Sequence, residues 1–461
     1  MKKSISLILL ACMLIGILSG CGPTPDPTVP SSTAPSGTTP DPTEPSATKP
    51  NPTEPDPTEP SVTEPDPTEP SATEPVEVEK KPDGLTVVNG RLMKGGEEFY
   101  GVGVNYYDMF IGIFYNKWDT SNLMIALDNL KAYDCKVIRF ATLPFMAKDM
   151  GYYTMVEDTY WSKLDEIVKK CEELEIGLIP SMFWTFSCFD QYGESYQTAI
   201  FDENSKGMAF IREYTEKFVQ RYAESPAIYG WEFSNEKILS ADLPHTVGTS
   251  SYYSTDALNH IYAEWAAIVA ANDPYDRVIS TGDTNPRESQ YNQWKNGTWN
   301  RDTMEQHLEV MAAINPGDIN TVSQHQYSLG SVLGAGDKTA PLFDAKTWKT
   351  FFEYLLNVSS NMGKACYVGE AGFALSKDLG WENVTEEHLQ AVYDSIGNAT
   401  CETGMQLVLL WNYDDTTMET DGYVYHQGGG VEYSWNENTT WGRIALEMMK
   451  EVNAKLAAGE N

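Results

Sequence analysis

The sequence predicts an α/β fold: a (β/α)8 TIM barrel, preceded by a short apolar leader and a Pro/Thr/Glu-rich disordered linker. Three observations predict it. Eight short apolar runs alternate with amphipathic helical stretches across residues 85–461; that alternation implies a parallel sheet, and eight strands close a barrel. No glycine-rich phosphate loop follows the first run, which counts against the rival open, doubly wound sheet. Residues 22–75 hold 17 of the 26 prolines and no aromatic residue, whereas all 12 Trp, 26 Tyr and 16 Phe fall from Phe99 onward. The 461 residues therefore read as a targeting segment (1–21), a linker (22–84) and one large domain (85–461) with ample length for a core.

The leader opens with Met1-Lys2-Lys3, a basic end, followed by an apolar stretch over 5–18. That length suits a signal peptide and is short for a bilayer span. It ends in Leu18-Ser19-Gly20-Cys21, which resembles a bacterial lipobox. The resemblance implies cleavage before Cys21 and lipidation of its thiol; an ordinary secretory signal is the alternative. No second apolar run approaches a membrane span. The expectation is a chain lipid-anchored outside the cell and otherwise soluble.

In the linker, the ten residues Asp-Pro-Thr-Glu-Pro-Ser-Val-Thr-Glu-Pro starting at Asp56 recur almost unchanged from Asp66. Proline at this density forbids helix and sheet and favours polyproline II. Such a spacer could reach roughly 150 Å at about 3.1 Å per residue. Ten acids against one lysine in residues 22–75 extend it further by self-repulsion. A stalk lifting the domain off the membrane is expected, rather than a peptide ligand.

In the domain, residues 85–92 suggest a hairpin. The barrel runs are 101–105, 136–140, 177–184, 227–233, 277–281, 321–325, 365–369 and 405–411. The clearest helices are 162–174, 207–223, 257–271, 304–314, 347–362 and 442–456. Barrel chemistry sits at the C-terminal ends of strands. The polar and aromatic residues there are Asn105, Arg139, Asn235 with Glu236, Asp283, His325 with Tyr327, Glu370 and Trp411.

Glu236 and Glu370 follow the fourth and seventh runs, which face one another across a barrel mouth. Two carboxylates flanking one cleft are the minimal machinery for glycoside cleavage. One must stay protonated to release the leaving oxygen, the other ionised to attack, so their surroundings must differ. Arg139 could hold Glu370 ionised, and Tyr327 could donate to it. Asn235 could bind a sugar 2-hydroxyl, and Trp411 could lie flat under a pyranose. Each residue alone has a plain structural reading; the combination at matching strand ends carries the inference.

These residues resemble glycoside hydrolase family 5, the cellulase and β-mannanase family of the larger retaining clan. The resemblance rests on Arg139 in Val-Ile-Arg-Phe, the stretch from Arg221 to Asn235-Glu236, His325-Gln-Tyr327, Val-Gly-Glu370 and Trp411. It implies that Glu236 is the acid/base and Glu370 the nucleophile. Arg139, Asn235, His325, Tyr327, Trp411, Trp184 and Asn105 would form the substrate-binding surroundings, with no metal or other cofactor. Two positions depart from the family pattern. Lys237 stands where a proline usually follows Asn-Glu, and residues 181–186 lack the histidine of many cellulases. The second departure tilts the expected substrate of this retaining endo-β-1,4-glycanase towards β-mannan or glucomannan. An exo-acting glycosidase or transglycosylase, and a non-catalytic glycan-binding lipoprotein, are the alternatives.

Tyr106, Tyr107, Trp118, Trp184, Phe186, Tyr413, Tyr423, Tyr425 and Trp435 fall in loops at the active end, where rings can stack on sugar faces. About half are expected merely to pack the loops. The long loop 414–440, with Gly428 to Gly430 inside it, should shape one side of the cleft. The net charge of −34 argues against a nucleic-acid partner. A polysaccharide substrate and a monomer are expected. Cys135, Cys171, Cys188, Cys366 and Cys401 lack metal-site spacing and leave one possible disulfide open.

Overall fold

Short runs bounded by polar turns form the barrel strands, which are buried on both faces, as parallel barrel strands must be. The computed structural model describes residues 84–144, 146–327, 347–373, 384–420, 423–426 and 434–459. Cys21, the leader, the linker and Gly428 to Gly430 lie outside the described residues. A small antiparallel sheet comes first: β1 Thr86–Val88, β2 Arg91–Lys94 and β3 Glu97–Glu98. The expected hairpin is thus present with one further strand.

Eight strands follow: β4 Gly101–Asn105, β5 Val137–Ala141, β6 Gly177–Ser181, β7 Gly230–Glu232, β8 Val278–Ser280, β9 Thr321–Tyr327, β10 Ala365–Gly372 and β11 Leu407–Leu410. They form one parallel sheet in the order β8-β7-β6-β5-β4-β11-β10-β9. The seam between β8 and β9 is closed by Asn320. Its backbone N–H donates to the Ile279 carbonyl at 3.2 Å, and its side chain accepts from the Ile279 N–H at 2.8 Å. This is the barrel that the eight apolar runs imply.

The helices pack outside through periodic apolar faces. Glu157–Leu174 buries Tyr160, Trp161, Leu164, Ile167, Val168 and Cys171, the i, i+3, i+4 spacing of one stripe. The six sequence-predicted helices are all present, with ends displaced by five residues at most. At the N-terminal end of the barrel, Leu85 and Leu92 pack with Val137, Ile179, Tyr229, Val278, Tyr367 and Leu407. The small sheet therefore plugs the bottom and leaves the C-terminal mouth for chemistry. Cys135, Cys171, Cys188 and Cys366 are buried thiols in no disulfide, acting as small apolar core residues. Among the described residues no helix is long and apolar enough to cross a membrane. The loop after β11 contains a further antiparallel pair, β12 Thr417–Thr420 and β13 Tyr423–His426.

Candidate active site

Three local features bring the strand ends together. Asn105 and Arg139 are register partners on β4 and β5. On β10 the register with β9 shifts between Val368 and Glu370, a bulge that re-aims the glutamate and sets it opposite His325. Gly369 sits in that bulge; a Cβ there would stand 2.7 Å from His325 Nε2, so glycine lets the imidazole approach. Beyond β7, Glu236 adopts a left-handed backbone (φ 51°), which costs a residue with a Cβ on the order of 1–2 kcal/mol. Its N–H donates to the Gly282 carbonyl at 3.1 Å.

Arg139 organises the floor of the mouth and uses all of its donor capacity. Nε donates to Glu232 Oε1 at 2.7 Å, and Nη1 donates to Glu370 Oε1 at 3.0 Å and Asn105 Oδ1 at 2.9 Å. Nη2 donates to Asn235 Oδ1 at 2.8 Å and, more weakly, to the Ser234 carbonyl at 3.4 Å. Asn105 Nδ2 in turn donates to the Gly369 carbonyl at 2.8 Å. Arg139 and Asn105 are both wholly buried. Arg139 thus orients Glu370, and Asn105 holds Arg139 against the backbone of β10. Asn235 is half-buried, and its Oδ1 is taken by Arg139, leaving the amide N–H groups for a ligand.

The two candidate catalytic carboxylates occupy different surroundings. The side chain of Glu370 is 3 % exposed and that of Glu236 is 28 % exposed. The nearest oxygens of the two carboxylates and a ring nitrogen of His325 all lie within 4.8 Å of one another. His325 Nδ1 stands 3.0 Å from Glu236 Oε1 and 3.3 Å from Glu370 Oε1. Burial pushes His325 down to about 4, so the ring is neutral at neutral pH. Both neighbours of Nδ1 are acceptors, so Nδ1 carries the hydrogen and binds them as a donor rather than as an ion. Tyr327 donates its hydroxyl to Glu370 Oε2. Burial holds that phenol well above its ordinary value, so it stays a donor.

Burial is also the largest influence on Glu370, and it raises the carboxyl above its ordinary value. Arg139 and the Tyr327 hydrogen bond pull it back, while Glu236 pushes it further up. The expectation that Arg139 simply holds Glu370 ionised is therefore incomplete, because burial outweighs the guanidinium.

The aromatic rim divides. Tyr107 stacks on Trp411 with centroids 5.5 Å apart, and Trp184 stacks on Trp411 at 6.3 Å. Trp184 also lies over the Arg139 guanidinium at 4.6 Å. Trp411 joins Asn412 through a cis peptide bond. The residue is only 3 % exposed, with Tyr107, Trp184 and Tyr327 packed against it. Half-buried Trp184 is the more open of the two rings. Tyr106, Phe186, Tyr413 and Trp435 are buried packing residues, and Trp118 packs on Phe110 and Phe114. Tyr423 and Tyr425 lie on β13. Asp283 is engaged in the interior: it accepts from the Ile238 N–H at 2.9 Å and the Tyr262 hydroxyl at 2.7 Å, and burial pushes it up to about 7.

Sequence reasoning missed Glu232 and Tyr367, both wholly buried. Tyr367 donates to the second oxygen of Glu232. The available signal was the charge itself: a glutamate inside the apolar run 227–233 has to be paired.

Among known proteins, residues 96–414 match the family described as Cellulase (glycosyl hydrolase family 5). Mannan endo-1,4-beta-mannosidase F of Aspergillus fumigatus is 26 % identical over 211 residues. That match covers 41 % of this chain, and the chain spans 44 % of that relative's length. A glycoside hydrolase family 5 mannosidase from Rhizomucor miehei superposes with a TM-score of 0.57 at 13 % identity, over 83 % of this chain and 99 % of the other. The endo-1,4-beta-mannanase from the same organism gives 0.54 at 16 % identity, over 81 % and 99 %. These likenesses establish a common fold. The family match runs from the small sheet to the loop after β11, well over half of the sequence, and the chain belongs to glycosyl hydrolase family 5.

Proposed function

We propose that this chain is a retaining β-1,4-glycanase, endo-acting on β-mannan or glucomannan in preference to cellulose. The observation that carries the reading is the carboxylate pair, whose nearest oxygens lie within 4.8 Å at the mouth of a family 5 barrel. Retaining enzymes hold the two groups about 5–5.5 Å apart, whereas inverting enzymes need roughly 6.5–9.5 Å to seat a water between them. Buried Glu370, fixed by Arg139 and Tyr327, attacks the anomeric carbon. The more exposed Glu236 gives its proton to the glycosidic oxygen as that bond breaks. His325 holds Oε1 of Glu236 and so fixes the carboxyl that carries the proton. Water then attacks the glycosyl ester, Glu236 takes the water's proton, and Glu370 leaves as a carboxylate.

The mannan preference draws on the partial likeness to the Aspergillus fumigatus endo-mannosidase and on the aromatic loop 183–186. A second reading, exo action on the same bonds, is favoured by the β12–β13 pair in the loop after β11. We also propose lipid anchoring through Cys21, which places the domain outside the cell on the linker, as a monomer.

Glu370→Gln should lower kcat on the order of 10⁴-fold while leaving the unfolding transition in place. A variant that still cleaves overturns the nucleophile. Hydrolysis of mannan, glucomannan, carboxymethyl cellulose, xylan and xyloglucan, with product lengths resolved, tests substrate and mode. Mixed oligosaccharides from mannan support the endo reading, and release of single sugars or disaccharides alone supports exo action.

A further inference from the structure

One buried charge at the mouth is not used by the chemistry above. Glu232 ends β7 with no exposed surface, and Arg139 bridges it to Glu370, at 2.7 Å on one side and 3.0 Å on the other. Its second oxygen accepts the Tyr367 hydroxyl, which also lies 3.2 Å from Ser280 Oγ. Burial holds that phenol well above its ordinary value, so it remains a donor. The backbone closes round the group: at Gly282 (φ 71°) a Cβ would stand 2.7 Å from Glu232 Oε1.

Folding does not demand this arrangement. A buried ion pair is often no more stable than apolar residues of the same volume, and a second carboxylate on one buried cation adds desolvation without adding charge balance. The surplus is explained by what it does to the neighbour. An arginine facing Glu370 alone would place its full charge on that carboxylate and weaken it as a nucleophile.

We infer that Glu232 is a positioning residue for Glu370: acting through Arg139, it fixes the guanidinium plane and takes up part of its charge, so that Glu370 is oriented and still nucleophilic. The inference rests on the reading of Glu370 as nucleophile. Glu370 faces Arg139, His325, Glu236 and Tyr327; Glu232 faces Arg139 and Tyr367, and its charge also reaches His325.

The test uses the full chain and the variants Glu232→Gln and Glu232→Asp. A 2-deoxy-2-fluoro-β-mannosyl fluoride labels the nucleophile, and its inactivation rate is followed against pH beside kcat/KM. Attack needs ionised Glu370, so the acidic limb reports that carboxyl. Glu232→Gln frees the Arg139 charge for Glu370 and should move the limb down by on the order of one pH unit. A roughly tenfold loss of kcat/KM should accompany the shift. Glu232→Asp draws the carboxylate back by one methylene and should move the limb the same way by less, which keeps the test open if the glutamine variant does not fold. A limb that stays put or moves up overturns the inference, since a merely structural loss would loosen Arg139 from Glu370 and raise it. Mass spectrometry of the label separates the two readings. A label away from Glu370 removes the nucleophile assignment; a label on Glu370 with unmoved limbs removes only the role of Glu232.

Discussion

Two arginines are wholly buried in this barrel, one at each end, and they differ in how they are answered. Arg139 at the mouth meets two carboxylates, two asparagines and a carbonyl, with donors left over from none of its nitrogens. Arg277 at the bottom meets one carboxylate, Asp273 at 2.9 Å, and the carbonyls of Ala223 and Ser225. Its Nε has no hydrogen-bond acceptor among the described residues. Burial works against the charge of both. Glu232 and Glu370 together still lift Arg139 above its ordinary value, whereas Asp273 does not restore Arg277, which stays below it. Arg277 serves chain closure: a Cβ at Gly84 would stand 2.5 Å from its Nε, so the entry to the domain is laid directly against the guanidinium. Burial of a charge therefore does not mark the working end of the barrel; a surplus of opposing charge does.

Lysine at each position should break the two ends in different currencies. Arg139→Lys replaces a planar fork of five donors with three donors on one nitrogen. It should lower kcat/KM on the order of 10²- to 10³-fold. Arg277→Lys should cost about 3 kcal/mol of stability, the scale of a broken buried pair, while kcat/KM stays within about twofold of the parent. Thermal unfolding and steady-state kinetics on both variants check this. A displaced pH profile in Arg277→Lys would erase the distinction between the ends.

The same contrast explains what the sequence could show. His325 and Glu370 were legible because each stands at or just beyond the end of an apolar run, where a barrel strand delivers its side chain to the mouth. Arg139 and Glu232 hold the same next-to-last place in their runs, and Tyr367 lies inside its own; a run says that the strand is buried, not which of its residues pair across the barrel. Aromatics were legible as a class and not individually. Trp435 and Trp184 both lie in loops at the mouth, yet one donates its indole N–H to the Trp411 carbonyl at 3.0 Å in the interior while the other remains half-open. Loop packing decides between them, and local sequence does not encode it.

Lys237 sharpens the division between floor and rim. Its Nζ donates to the Trp184 carbonyl at 2.6 Å and lies 4.8 Å over the Phe186 ring. The lysine thus ties the backbone beside Glu236 to the backbone of half-open Trp184. Lys237→Met keeps the packing volume and removes the tether. KM for mannan oligosaccharides should rise about three- to tenfold with kcat within about twofold, the pattern of lost ground-state binding. Trp184→Ala should move KM further in the same direction. A fall in kcat without a change in KM would place Lys237 with the floor instead.

The smallest expected effect concerns metal. Glu236, His325 and Glu370 offer three ligand atoms within 4.8 Å of one another, a spacing at which a divalent ion could in principle be held. The charges around them oppose it. His325 Nδ1, the ring nitrogen facing both carboxylates, carries a hydrogen there and would have to give it up to bind. The Arg139 guanidinium, 3.0 Å from Glu370, would be left facing a second cation. A chelator should therefore leave kcat/KM unchanged within error at every pH tested. Added zinc should only inhibit, competitively with oligosaccharide and more strongly as pH rises, because binding displaces the imidazole hydrogen. Loss of activity on chelation, restored by one divalent ion, would overturn this account, since the carboxylate that the floor holds ready for a sugar carbon would then be a ligand.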